Sequence, residues 1–216
     1  MNSLVRKPFG CARPSRQRGV ALFFALICMV AIMLAAVMLV RSVDTATLIM
    51  GNLAFQQSAT RSGDGGTEAA MAWLQGVQTA NSTTNVLLDP THPFNVDNAA
   101  AGYYASTDPA KSLTSTTGSH FNWDGTDSAS VGTDAAGNTI RYIIQRMCLT
   151  SGVAVASTSC LFSGAALDNN GQNIPLPQQV CNGPGCPVAG QTPMIRVTSK
   201  VTGPKNTVSY VQALIY

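Results

Sequence analysis

Val20 to Val40 is a run of 21 residues with no charge and no proline. At about 1.5 Å per residue, a helix of that length spans about 31 Å, one bilayer core. A removable signal peptide, a permanent membrane helix and a segment that uses the membrane only for storage all begin with such a run. A secretory signal has a shorter apolar stretch, about 7–15 residues, followed by a small-residue cleavage site. Here the candidate small-residue site, around Leu34-Ala35-Ala36, has further apolar residues behind it, which argues against conventional cleavage. Arg6, Lys7, Arg13, Arg16 and Arg18 all precede Gly19, with no acid among them. By the positive-inside rule that end stays cytoplasmic and the rest of the chain lies outside the cytoplasm.

Those five residues also explain the net charge of +3. Removing them from the 13 basic residues leaves 8 against 10 acids, so the remainder is slightly acidic. The positive charge is an N-terminal patch, and the reading excludes nucleic acid as a partner. Charged residues are only 11% of the chain, against about 25% on average. Gly, Ser, Thr, Asn and Ala take their place, as in many extracellular β-rich domains.

The pattern after Val40 stays helical. Val43, Ala46, Met50, Leu53 and Ala54 fall at helical spacing, and Ala70, Trp73, Leu74 and Val77 repeat it. The expectation is an amphipathic continuation over 41–80 with one face free to pack on a domain. Ser62-Gly63-Asp64-Gly65-Gly66 interrupts it. Three glycines cost about 3 kcal/mol against alanine in a helix, so a kink or break is expected near 63–66, with Asp64 or Thr67 capping a restarted helix. Asp64 and Glu68 read as a solvated helix face rather than an acid–base pair.

Residues 81–139 read as polar loops with a few short strands. Trp123 reads as a half-buried anchor. Asp124, Asp127 and Asp134 lie among glycines but fail the EF-hand calcium pattern, and Ala135-Ala136-Gly137-Asn138 reads as a hairpin turn. Thr139 to Cys148 is a strand in which Ile140, Tyr142 and Ile144 form an apolar face. Ile195, Val197 and Val201 mark another strand. Gly203-Pro204-Lys205-Asn206 makes a turn, and Thr207 to Tyr216 returns. On the return strand the apolar phase shifts between Tyr210 and Val211, which predicts a bulge or a strand buried on both faces. The fold expected is α+β, with a long N-terminal helix packed on an antiparallel sheet.

Beyond the apolar run, Cys148, Cys160, Cys181 and Cys186 make an even set, read as disulfides in an oxidising compartment. Local proximity favours Cys148–Cys160 and Cys181–Cys186, although four cysteines allow three pairings. Zinc is the rival for CNGPGC, where four residues separate the cysteines. No G-x-S-x-G elbow, phosphate loop or paired metal ligand occurs; the reading is a non-enzyme without cofactor.

The leader, glycine, apolar run and amphipathic continuation resemble the type IV prepilin pattern. The stretches RQRGVALFFALI, RSVDTATLIMGNLAFQQSAT, TEAAMAWL, RYIIQRMC and VTGPKNTVSYVQALIY resemble, more narrowly, the PilX-like minor pilins. The resemblance implies that prepilin peptidase cuts after Gly19 and that Val20 becomes the methylated N-terminus. Residues 1–19 are then a cleaved leader, 20–40 the membrane-spanning helix, 41–80 its amphipathic part and 81–216 an extracytoplasmic β-rich domain. It implies residence in the bacterial inner membrane, then entry into the pilus fibre by packing against other major and minor pilins. Most pilins have glutamate at the fifth mature position; here it is Phe24, which points to a tip or initiating subunit rather than shaft insertion. The alternatives are a type II secretion pseudopilin and a membrane-anchored adhesin or binding module.

Overall fold

The structure, a computed structural model, describes residues 19–115, 117–164, 170–172, 186–187 and 190–216. It is α+β: one long helix, α1 (Val20–Ala80), and a five-stranded sheet. The strands are β1 (Tyr103–Tyr104), β2 (Ala129–Thr133), β3 (Thr139–Arg146), β4 (Ile195–Thr202) and β5 (Val208–Ile215). Two compact units divide the chain, one ending at Gly51 and the other running from Asn52 to Tyr216.

In the second unit the sheet is laid out from the middle of β3 and β4, which pair antiparallel over all eight residues, with β5 antiparallel beyond β4. The other side of β3 is shared. Its first half pairs antiparallel with β2, and its second half pairs with β1. The antiparallel sheet expected from the sequence is present in β2 to β5, and the two-residue β1 adds to it in parallel with β3. The hairpin turn was anticipated. Gly137 (φ 82°) closes it, with its N–H on the Asp134 carbonyl at 3.0 Å.

Helix α1 does not break at the glycines. It runs continuously through Gly63, Gly65 and Gly66, so neither Asp64 nor Thr67 starts a new helix. The reason is packing. Ala59, Gly63, Gly66, Ala70 and Leu74 are the buried residues of α1 and recur every three or four positions, on the stripe that faces the sheet. A Cβ on Gly63 would lie 2.4 Å from Val211 Cγ2, and one on Gly66 would lie 2.3 Å from Ser199 Oγ. The glycines let the helix backbone sit almost on the strands, and the contacts made there offset their entropic cost. The buried stripe therefore begins at Ala59, later than the Val43–Ala54 pattern suggests; Val43, Met50 and Leu53 are exposed. At the far end Asn81 stops the helix, donating its side-chain Nδ2 to the Val77 carbonyl at 2.8 Å.

The sheet is covered on both faces. On the helix side Tyr103, Tyr142, Ile144 and Val197 join Ala70 and Leu74, while Ile140 and Val201 join Ala59. On the other side Ile143 packs with Phe121 and Trp123, and Tyr104, Leu113 and Tyr210 flank them. Trp123 is more buried than a half-exposed anchor, at 5% exposure, and donates its indole N–H to the Leu113 carbonyl at 2.7 Å. This accounts for the phase shift on β5. Its register with β4 is unbroken, so no bulge forms. Val211 turns to the helix glycine while Tyr210 turns to Trp123, with ring centres 5.8 Å apart.

Gly76 has nothing within 4 Å of where a Cβ would stand. Gly76→Ala should therefore stabilise the fold by about 0.5–1 kcal/mol. Gly66→Ala should destabilise it, because overpacking of about 1–3 kcal/mol outweighs the same helix gain. Denaturant unfolding of both variants checks this; shifts of equal sign would refute the close-approach account.

Candidate functional site

The first unit is the candidate for contact with lipid or other helices. α1 begins at Val20, directly after Gly19, which lies in a turn. The basic residues before Gly19 fall outside the described residues. Val20 is 52% exposed and Phe24 60%, and large apolar side chains are exposed around the whole circumference from Val20 to Met50. A helix apolar on all sides is not a surface helix of a water-soluble domain. Among the described residues, α1 is the single helix long and apolar enough to cross a membrane. Two hydroxyls of this part bond back into the helix: Thr45 Oγ1 donates to the Arg41 carbonyl at 2.8 Å, and Thr47 Oγ1 to that of Val43 at 2.9 Å. Phe24 packs edge-on against Phe23, with centroids 6.2 Å apart. Cys28 is an exposed thiol on the same helix.

In the second unit the cysteines act as staples. Cys148 and Cys160 form a disulfide that ties the end of β3 to the following loop, one of the pairings favoured by proximity. Cys186 is also disulfide-bonded; Cys181 lies outside the described residues. Zinc is overturned at Cys148, Cys160 and Cys186, because a sulfur committed to a disulfide is not a thiolate ligand.

The three aspartates of 124–138 go to three different places. Asp124 lies 3.8 Å from Lys200 Nζ, and Asp127 lies 3.1 Å from Lys111 Nζ. Lys111 Nζ also sits 4.2 Å above the Phe121 ring. Asp134 accepts from the backbone N–H of Ala136 and Asn138 at 2.9 and 2.8 Å, and from Ser62 Oγ on α1. Asn138, 1% exposed, donates Nδ2 to Asp134 and to Ser58 and Ser62 on α1. Among the described residues no three acids, histidines or cysteines gather as metal ligands.

Sequence reasoning located Asp134 in a turn but missed that the turn is fastened to the helix, because Ser62 lies 72 residues away in the chain. It missed Arg146 as well. Arg146 is 2% exposed, donates Nε to the Ala105 carbonyl at 2.9 Å and Nη1 to Asn95 Oδ1. Burial lowers its pKa, with Tyr103 and Asp97 opposing. Asn95 in turn donates to the carbonyls of Val86 and Asp89 at 2.7 and 2.6 Å. His92 is buried beside it, and desolvation lowers its pKa. These polar contacts join loop to strand.

Comparison with family models, curated proteins and solved structures finds no match to this chain.

Hydrogen bonds from Ser62, then Asn138, hold the Asp134 carboxyl at a pKa of about 2, below its ordinary 3.8. A depressed carboxylate contributes stability above the unfolded pKa that is lost as pH falls through the folded value. The protein should therefore lose stability between about pH 4 and pH 2, and Asp134→Ala should flatten that part of the profile. A profile unchanged by the substitution would show that the turn clamp does not bear on stability.

Proposed function

We propose that this chain is a pilin-like subunit of the minor class, resembling the PilX-like proteins, that takes part in starting, capping or modifying a type IV pilus and so in twitching motility or adhesion. One observation carries the reading: a single helix, Val20–Ala80, holds both an all-round apolar stretch and the small-residue stripe that fits the sheet. A surface suited to lipid is equally suited to a bundle of apolar helices. The helix can therefore rest in the inner membrane, its remainder in the periplasm, and later join a fibre core beside other pilins. Its start at Val20 fits cleavage by prepilin peptidase after Gly19. Nothing in this role requires catalysis or a cofactor; the subunit acts by packing.

At the fifth mature position Phe24 has no charge to offer the N-terminal amine of a neighbouring subunit, which favours the tip or an initiating complex over the shaft.

Mass spectrometry of the membrane-extracted protein should find a chain of 197 residues beginning with methylated Val20. A start at Met1 or near residue 37 would sink this reading. Deletion should abolish surface pili; loss of exoprotein secretion with pili intact would instead mark a secretion pseudopilin. Phe24→Glu should increase the subunit's incorporation along the shaft, read by immunogold labelling. Unchanged placement would remove the basis for the tip assignment.

A further inference from the structure

The two edges of the sheet are built differently. Along one, pairing is cut short: β1 has two residues, and the register of β2 shifts between Ser130 and Gly132, where Gly132 has φ 118°. Short strands and bulges of this kind stop a sheet from growing. β5 has neither. Its eight residues, Val208–Ile215, contain no charge, proline or glycine and pair with β4 without a shift. Among the described residues its backbone hydrogen-bonds to β4 alone. In an antiparallel strand every second residue turns its N–H and C=O away from the neighbour, so half of β5 presents unpaired groups at this edge. Val208 and Leu214 are 45% and 54% exposed beside it. Lys205, exposed in the turn before β5, carries a positive charge near one end of the edge, its Nζ 5.1 Å from the centre of the Phe55 ring on α1.

We propose that β5 is a receiving edge, to which an extended, uncharged segment of another polypeptide adds as an antiparallel strand. Backbone groups supply the register, as in other strand additions. Apolar side chains of the incoming segment cover Val208 and Leu214, and an acidic residue after its uncharged stretch falls beside Lys205. A second copy of this chain is the less fitting occupant. Pairing β5 with β5 about a two-fold axis normal to the sheet runs the two α1 helices in opposite directions, whereas chains inserted into one bilayer from one side run the same way. The choice of a different polypeptide therefore rests on the membrane reading above.

The test uses the full chain in detergent and a capped peptide of four Val-Thr repeats followed by Asp-Asp. Hydrogen exchange should show protection of alternate β5 amides and none at β2. A control peptide with a central proline loses a backbone donor and should bind about tenfold more weakly, as should the Leu214→Lys chain, whose unfolding midpoint stays unchanged. Lys205→Ser should abolish the preference for Asp-Asp at the C-terminal end over the N-terminal end. Absent protection, or equal binding of the proline control, overturns the proposal. A dimer with protected β5 in the absence of peptide overturns the choice of partner. The pilin reading fails separately: a mature N-terminus other than Val20 sinks it while peptide binding still supports the receiving edge, and Val20 without peptide binding sinks the edge alone.

Discussion

The second unit depends on how closely α1 approaches its sheet. Ala59, Gly63, Gly66 and Ala70 present almost no side chain, so the helix backbone lies close enough to the strands that an added Cβ at Gly63 or Gly66 would collide with Val211 or Ser199. Larger residues of the strands, Val201, Val211 and Ile140, fill the space the helix leaves. In most helices three nearby glycines weaken the element; here the backbone order is supplied from outside, by tertiary contact. The same closeness makes the clamp of Ser58 and Ser62 on Asp134 and Asn138 geometrically possible. A helix held a few ångströms higher would leave Asn138, buried in the turn, without its donors' partners.

The loops follow a second rule. They have little regular structure and few charges, so their order comes from short side-chain bonds to nearby backbone. Asn85 accepts from the Leu87 N–H, Asp89 from Thr91, Asp108 from Ala110 and Asp134 from Ala136, each two residues ahead. Such turns are self-contained. Longer connections include the Cys148–Cys160 disulfide, the Arg146–Asn95 pair and the Tyr103 hydroxyl on the Phe94 carbonyl at 2.7 Å. A disulfide closing so short a loop contributes about 3 kcal/mol by restricting the unfolded chain. The result is a polar surface resting on a small, two-sided apolar core.

The proposed role draws on both ends of α1 at once. Its first stretch, Val20 to Val40, suits any apolar surroundings, lipid or protein, because it has no charge and no hydroxyl. Its second stretch is committed to the sheet of its own chain. A subunit that moves from membrane to fibre needs this division, since the part that changes partners must not be the part that holds the domain together.

The sequence by itself determined the elements whose signal is local. The uncharged run from Val20 to Val40 follows from composition. The alternation of Ile140, Tyr142 and Ile144 marks β3, Gly137 marks its turn, and the proximity of Cys148 to Cys160 favours their bond. Only the tertiary structure decided the rest. It carried α1 through the glycines, assigned Val211 and Tyr210 to opposite faces of β5, added β1 in parallel and fixed Asp134 to Ser62. Each of these outcomes depends on a neighbour far away in the chain: Val211 faces Gly63, Tyr210 faces Trp123, Tyr103 pairs with Ile144. Propensity and periodicity register what a residue prefers in isolation, and a glycine in a helix is unfavourable on that scale. What reverses the preference is the surface that arrives opposite it, which exists only once the chain has folded.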